Sequence, residues 1–460
     1  MAFKKYTDII EIIDIADKGR SVGKSKDGKV VFVTGCIPGD KAEVLILRKR
    51  KGVHEGIVKE ITEYSPFRVK PECEHFGICG GCKWQDLTYD KQLEYKDMQV
   101  KAALERIAKV NPECFLPILA CEKIFFYRNK LEFSFSNKKW LTESEIRSEN
   151  KIEQQNVLGF HAPGNFEKII SIENCLLQES PSNEIRNFIR EFTLQNDYSY
   201  WDARNHTGLM RNIIIRTSNT GETMVTVSFA KKEGITELLE ALKSKFPQIT
   251  SLNYVINPKY NDSIFDLEVI NYHGEKFIRE KMGDLVFMIS PKSFFQTNSD
   301  QSRRLYDIAI DFAELQGDES VLDLYTGIGS IALYIAGKVT KVTGIELISE
   351  AIEDAKLNAS INKITNADFI AGDVKHILKN DLEKPDIIFV DPPRAGLDKE
   401  VTEKILEINP EKIVYISCNP ATQARDIAIL KEKYNVIKSQ AVDMFPHTHH
   451  VENVIMLSKI

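Results

Sequence analysis

No run of the chain approaches the roughly 20 consecutive apolar side chains that a bilayer-spanning helix needs, and the opening MAFKKYTDII lacks the apolar core of a secretory leader. No membrane partner is expected, and the compartment is expected to be cytoplasmic. There the eight cysteines are not expected to pair as disulfides, so each is a buried thiol, a metal ligand or a nucleophile. The third glycine of the G-x-G-x-x-G dinucleotide pattern is missing after Gly327 and Gly329, which argues against NAD. His447, His449 and His450 do not keep the H-x-x-x-H spacing of a helical zinc pair, which argues against a metal there. Internal repeats and low-complexity segments are absent too.

At 460 residues and 43 % hydrophobic, the chain has material for two or three cores. Its net charge of −6 by itself disfavours a nucleic-acid partner, because phosphate neutralisation supplies much of such affinity. The distribution reverses that inference. Residues 1 to 70 carry 15 Lys and Arg against 10 Asp and Glu, so a basic module precedes an acidic body.

The first 63 residues read as short strands and turns, with Val30–Val33 and Ala42–Leu47 flanking Pro38-Gly39-Asp40. The basic run Arg48-Lys49-Arg50-Lys51 and a strand near Gly56–Lys59 follow, and together they suggest a small barrel. From Trp84 to Val110 the spacing predicts a helix with Leu93, Val100, Leu104 and Ile107 on its packed face. Residues 111 to 290 are mixed, with strands predicted at Lys130–Phe135 and Met224–Phe229. From about residue 300, strand, tight turn and helix repeat. Val321–Asp323, Val342–Glu346, Ile387–Asp391 and Ile413–Ser417 are apolar runs that each end in a polar residue. They predict an α/β fold with a parallel, doubly wound sheet, whose ligands bind beyond the carboxyl ends of the strands.

Those ends carry the chemistry. Asp323-Leu-Tyr-Thr-Gly327-Ile-Gly329-Ser330 follows the first run, and Glu346, ending the second, can accept two ribose hydroxyls. S-adenosylmethionine, which has no pyrophosphate to cradle, fits this turn better than a dinucleotide does. Asp373 either reaches the adenine or simply caps a helix. Asp391-Pro-Pro-Arg394 makes a stiff, donor-poor edge suited to a flat base. In amino-methylating enzymes an aromatic usually closes that tetrapeptide, whereas here it is Arg394. Cys418, in Ser417-Cys418-Asn419-Pro420, is hard to explain as packing. Carbon 5 of uracil is a poor nucleophile until a thiolate adds to carbon 6, after which a base must remove the carbon 5 proton. Cys418 could supply the thiolate, and the stretch Asp443–Glu452 offers several bases.

Over essentially the whole chain these motifs resemble the RNA uracil-5 methyltransferases of the TrmA/RumA family, most of all its bacterial 23S ribosomal RNA members (RlmD/RlmCD). The resemblance implies an OB-like TRAM RNA-binding barrel at 1–63 and a mixed α+β central domain at 64–290, its helix 84–110 packed on the catalytic domain. A Rossmann-like methyltransferase domain is implied at 291–460. It implies Cys418 as nucleophile and Glu452 as proton acceptor. Contacts to S-adenosylmethionine fall on Gln296 (in Phe294-Phe295-Gln296-Thr297-Asn298), Tyr325, Ser330, Glu346, Asp373 and Asp391, with Ser330 departing from the family's usual asparagine. Cys73, Cys79, Cys82 and Cys175 form a tight trio plus one distant thiol, better matched to a cubane than to the two close pairs of structural zinc. In the ribosomal members this pattern holds a [4Fe-4S] cluster. The C-x3-C-x2-C run of radical chemistry is missing, and Cys36, Cys114 and Cys121 are expected in the core. Loss of the cluster is expected to disorder the central domain alone, because its ligands and Cys418 lie in different sequence modules. A monomer acting on 23S ribosomal RNA is implied. The alternatives are a transfer-RNA uracil-5 methyltransferase, a base-N methyltransferase, or an RNA-binding assembly factor with a relic fold.

Overall fold

Alternating apolar residues close the start of the chain on itself. In the computed structural model, which describes residues 4–16, 19–50, 52–147, 155–379 and 382–460, the strands Tyr6–Ala16, Arg20–Lys24, Val30–Thr34, Lys41–Arg50 and Val53–Glu63 form a closed barrel. Period-two patterning turns Ile10, Ile12, Val31, Val33, Val44 and Ile46 inward. The expected turn is present, with Gly39 at φ 92°, where a Cβ would come within 2.7 Å of the Ser65 hydroxyl. Next to it the buried Asp40 carboxylate accepts the N–H groups of Ile37 at 2.7 Å and Ser65 at 3.0 Å, and a guanidinium N–H of Arg68 at 2.7 Å. That pair ties the barrel to the next module. The basic run is partly neutralised, since Arg48 pairs with Glu55 at 2.5 Å; Lys51 lies outside the described residues.

The helix expected over 84–110 runs from Tyr89 to Ala103 and ends in one π turn, Leu104–Ala108. Its packed face keeps Val100 and Leu104 of the apolar set that the spacing suggests, but not Ile107, and takes in polar Gln92 and Lys96. Gln92, Lys96, Val100 and Leu104, four residues apart, are buried, whereas Ile107 is 46 % exposed. The reason is the neighbour, which presents backbone carbonyls and a carboxylate. Gln92 Nε2 donates to the carbonyls of Trp84 and Leu87, and its Oε1 accepts the His447 N–H at 2.8 Å. Lys96 Nζ donates to Asp443 Oδ1 at 2.5 Å and to the Phe445 carbonyl at 3.0 Å, with both charged side chains fully buried. The Tyr89 hydroxyl donates to the other Asp443 oxygen at 2.9 Å.

The middle of the chain builds a seven-stranded sheet in the order 269–274, 249–256, 223–229, 210–217, 130–136, 157–161, 169–171. The helices Ser182–Gln195 and Ile235–Lys245 bury their apolar stripes against it. The last part builds an eight-stranded sheet in the order 367–371, 341–346, 320–324, 387–390, 412–417, 452–459, 434–442, 115–119. Its first five strands are parallel, Glu452–Lys459 runs antiparallel to both its neighbours, and Phe115–Leu119 pairs parallel with Tyr434–Val442 at the edge. That edge strand comes from within 64–290, so a division at residue 290 cuts through this sheet. Buried clusters cover both of its faces. Among the described residues no helix is long and apolar enough to cross a membrane.

Candidate active site

Five adjacent parallel strands end side by side, and Tyr325, Glu346, Asp373, Asp391 and Cys418 stand at or just beyond those ends. Asp323 closes the first turn. Fully buried, it accepts from the Thr326 hydroxyl at 2.5 Å and the Ala332 N–H at 3.2 Å, and burial pushes its carboxyl up to about 7. Tyr325, Gly327 and Gly329 all take positive φ, and a Cβ on Gly329 would sit 3.1 Å from the Phe369 ring. Ser330 opens the helix behind the turn. Glu346 is pinned by the N–H groups of Gly327 at 3.2 Å and Ile348 at 3.0 Å. Asp373 caps the helix Val374–Ile377 by accepting the Lys375 N–H at 2.9 Å, so one of its oxygens is engaged in local structure.

The strand register brings the expected nucleophile and base together. Ser417 lies opposite Asn453, so Cys418, one residue beyond its strand, and Glu452, the first residue of the antiparallel neighbour, become neighbours. Burial, then the charges of Glu452 and Asp391, push the half-buried Cys418 thiol up to about 11, opposed by Arg394. Glu452, 4 % exposed, is pushed up to about 8 by burial and by Asp391, again opposed by Arg394. Burial lifts Asp391 to about 7. Arg394 is held in place, its carbonyl accepting from Asn419 Nδ2 at 3.0 Å and its Nη2 lying 3.3 Å from His450 Nδ1. Burial, with His449 and Arg394 alongside, pushes His450 down to about 3, so it is a neutral imidazole. His447 is architectural, its carbonyl accepting the N–H groups of Lys83 and Trp84. A thiol and a carboxyl beneath one guanidinium can add to an electrophilic carbon and then remove a proton beside it.

The family model described as tRNA (Uracil-5-)-methyltransferase matches residues 220–460. An RNA methyltransferase of Bacteroides thetaiotaomicron is 49 % identical over 452 residues, covering 96 % of this chain and 99 % of its own. One from Chlorobaculum tepidum is 39 % identical over 462 residues, covering 97 % and 95 %. Among solved structures, the Pyrococcus abyssi tRNA (uracil-54, C5)-methyltransferase in complex with S-adenosyl-L-homocysteine aligns with a TM-score of 0.74 at 29 % identity, over 97 % of this chain and 99 % of that one. The chain belongs to the RNA uracil-5 methyltransferase family. It is an RNA methyltransferase dependent on S-adenosylmethionine.

The methyltransferase keeps Cys73, Cys79, Cys82 and Cys175 as free thiols. Burial, together with the other thiols of the four, pushes Cys79 up to about 11 and Cys82 up to about 12. Among the described residues no group of three or more His, Cys, Asp or Glu side chains is gathered to hold a metal ion. The thiols are therefore neighbours and not a closed coordination shell. Arg186 and Arg128 lie in charge range of Cys175, and each has a buried Nε with no acceptor. Guanidinium Nε donors without acceptors beside four soft donors fit an anionic, thiolate-bound group. Of the other thiols, Cys36 and Cys121 are in the core, while the half-buried Cys114 donates to the Val436 carbonyl at 3.1 Å.

The cysteines and the Cys418 cleft, which lie in different sequence modules, are linked in the fold through one short segment. Phe126 and Arg128 donate their N–H groups to the carbonyls of Leu176 and Leu177, next to Cys175. From the same short segment the Tyr127 hydroxyl donates to the Pro446 carbonyl at 3.0 Å, and Asn129 Nδ2 donates to the Gln296 carbonyl at 2.9 Å. Residues 126 to 129 thus strap the cysteine loop to both the Gln296 turn and the loop leading to Glu452. Nothing in the local sequence signals this, because each contact spans a long separation. Arg394, by contrast, stood in plain view inside the Asp391-Pro-Pro motif.

As nucleophile and base, Cys418 and Glu452 would each have to lose a proton, so kcat/KM for methyl transfer should rise with pH through about 8, where Glu452 ionises, and go on rising toward about 11, where Cys418 does. Arg394→Met removes the charge that opposes both shifts. It should move that limb upward by about one pH unit and lower the rate near neutrality roughly tenfold. A pH–rate profile checks this, and an unmoved limb would show that Arg394 does not set these ionisations.

Proposed function

We propose that this enzyme methylates carbon 5 of a uridine in 23S ribosomal RNA, with Cys418 as covalent nucleophile and Glu452 as proton acceptor. The observation that carries the reading is the Cys418 thiol beside the Glu452 carboxyl, under Arg394, at the carboxyl end of the sheet. S-adenosylmethionine, held by Gln296, Tyr325, Ser330, Glu346, Asp373 and Asp391, supplies an electrophilic methyl carbon. Cys418 adds as thiolate to carbon 6 of the uracil, and the displaced ring electrons make carbon 5 nucleophilic while Arg394 shares the charge of the enolate. After carbon 5 is methylated, Glu452 takes its proton, the carbon–sulfur bond breaks and the thiolate leaves. Glu452→Gln should therefore permit addition and methylation but stall elimination. A denaturation-resistant protein–RNA adduct would accumulate on a gel. Product release at the wild-type rate would instead make His449 or His450 the base.

A transfer-RNA uridine is the second reading, favoured by the description of the matching family and by the Pyrococcus relative. Mass-spectrometric mapping of RNA from a deletion strain decides. 5-Methyluridine missing from 23S RNA supports the first reading, missing from transfer RNA the second, and missing from neither overturns both.

The barrel is read as a TRAM module that binds RNA, and the protein as a cytoplasmic monomer. Cys73, Cys79, Cys82 and Cys175 would hold a [4Fe-4S] cluster whose chemistry is structural. Anaerobically purified protein should then be brown with about four irons per chain. Cys82→Ser should lose the colour, keep S-adenosylmethionine binding and, because of the 126–129 strap, also lose methyl transfer. Stoichiometric zinc in iron-replete protein, or full iron retained in the variant, would refute the assignment.

A further inference from the structure

Beside the Gln296 turn the central sheet opens into a cavity of about 180 Å³, lined by Lys130, Glu132, Asp262, Ser263, Phe265 and Pro291 among others. It adjoins the reacting centre through the chain itself. Lys130 follows Asn129, which grips the Gln296 carbonyl, and Pro291 leads into Phe294–Asn298. Lys130 lies opposite Arg216 in the strand pair. Among the described residues its ammonium has neither a hydrogen bond nor an ion pair. Burial, with Arg216 alongside and opposed by Glu132, pushes it down to about 8, so most of it is still charged near neutrality.

The carboxylates in the cavity hydrogen-bond to groups other than Lys130, although Glu132 stays within charge range of it. Glu132 accepts from Asn212 Nδ2 at 2.5 Å, and Asp262 pairs with Arg211 at 2.8 Å. Behind them Arg216, 3 % exposed, donates to the Ser293 carbonyl at 2.5 Å and has an Nε with no acceptor. At the rim Phe265 is 62 % exposed. Glu132 and Glu280 lie in charge range of Lys130 and Arg216. Yet among the described residues the Lys130 ammonium makes no hydrogen bond and Arg216 Nε has no acceptor, so the cavity offers open N–H donors with a bare aromatic face beside them.

We propose that this cavity receives a nucleotide flanking the target uridine, with its phosphate on Lys130 and its base stacked against Phe265. Phosphate contacts fix register along an RNA, and stacking on an exposed ring accepts any base. The inference rests on the RNA uracil-5 reading of the neighbouring centre and adds to it a device that sets which uridine reaches Cys418.

Filter binding across a salt series tests it, using unmodified transcripts of 23S ribosomal RNA and of transfer RNA and judging by whichever the wild type binds more tightly. Lys130→Gln should weaken binding roughly five- to tenfold and lower the salt slope by about one, while Lys130→Arg keeps the slope. Phe265→Ala should weaken binding roughly tenfold at unchanged slope. S-adenosylmethionine affinity and melting temperature should stay at wild-type values. An unchanged slope in Lys130→Gln, or an equal loss in Lys130→Arg, overturns the proposal. If the variants show these binding effects while the wild-type protein transfers no methyl group to either RNA, the reading of the reacting centre fails and the cavity assignment stands.

Discussion

Cys418→Ala should reduce methyl transfer by at least about 10⁴-fold while leaving S-adenosylmethionine affinity within about threefold of wild type. The asymmetry follows from position. Cys418 ends the Lys412–Ser417 strand and faces Glu452, whereas the Gly327–Gly329 turn and Glu346 belong to strands on the other side of Ile387–Val390. Removing the sulfur takes away the atom that makes carbon 5 nucleophilic, and no neighbour replaces it. Labelled-methyl incorporation and calorimetric cofactor titration check the two halves. Residual turnover within a hundredfold of wild type would eliminate the covalent route, and a parallel collapse in cofactor affinity would mean the variant had lost its fold.

Lys96→Met should destabilise the enzyme by about 3–5 kcal/mol, because it leaves the Asp443 carboxylate buried without its cation. Both side chains are fully buried, and Lys96 also satisfies the Phe445 carbonyl. The loss should reach catalysis as well. Gln301 and Asn298 bond the carbonyls of Asp443 and Met444, so the ion pair anchors the segment running to Glu452 and the Gln296 turn together. Lys96→Met combined with Asp443→Leu should recover part of the lost stability, since an apolar pair leaves no buried charge, while the Phe445 carbonyl and the Tyr89 hydroxyl still lose a partner. Urea unfolding midpoints decide. A single variant with the wild-type midpoint, or a double variant no better than the single, would show that the pair does not carry this load.

The catalytic sheet was legible because each parallel strand is a short apolar run ending in a polar residue, a pattern imposed by burial on both faces and by a ligand cleft at the strand ends. Cys418 could be singled out for the same reason, whereas Glu452, which opens an antiparallel strand, is marked out among the bases of 443–452 only by the family resemblance. The buried face of the Tyr89–Ala103 helix could be read only in part, because Gln92 and Lys96 look like solvent-facing residues until their partners appear. Lys96 and Asp443 are 347 positions apart, and no periodicity reports a pairing over that distance. Tyr6–Ala16 escaped notice because paired isoleucines blur its alternation. Phe115–Leu119 was missed for being five residues long with a central proline.

That short strand also bears on how the chain must be made. Phe115–Leu119 finds its partner in Tyr434–Val442, and the Cys114 thiol meets its acceptor 322 residues further along. At ribosomal speeds of about 5–20 residues per second, the segment waits roughly 15 to 65 seconds for its mate. An unpaired strand waiting that long on a crowded polysome invites pairing with a neighbouring nascent chain. Pro117, at its midpoint, has no N–H to offer and interrupts the row of donors such a partner would need. The proline that hides the strand from a reader of the sequence also keeps it unpaired until its own sheet arrives.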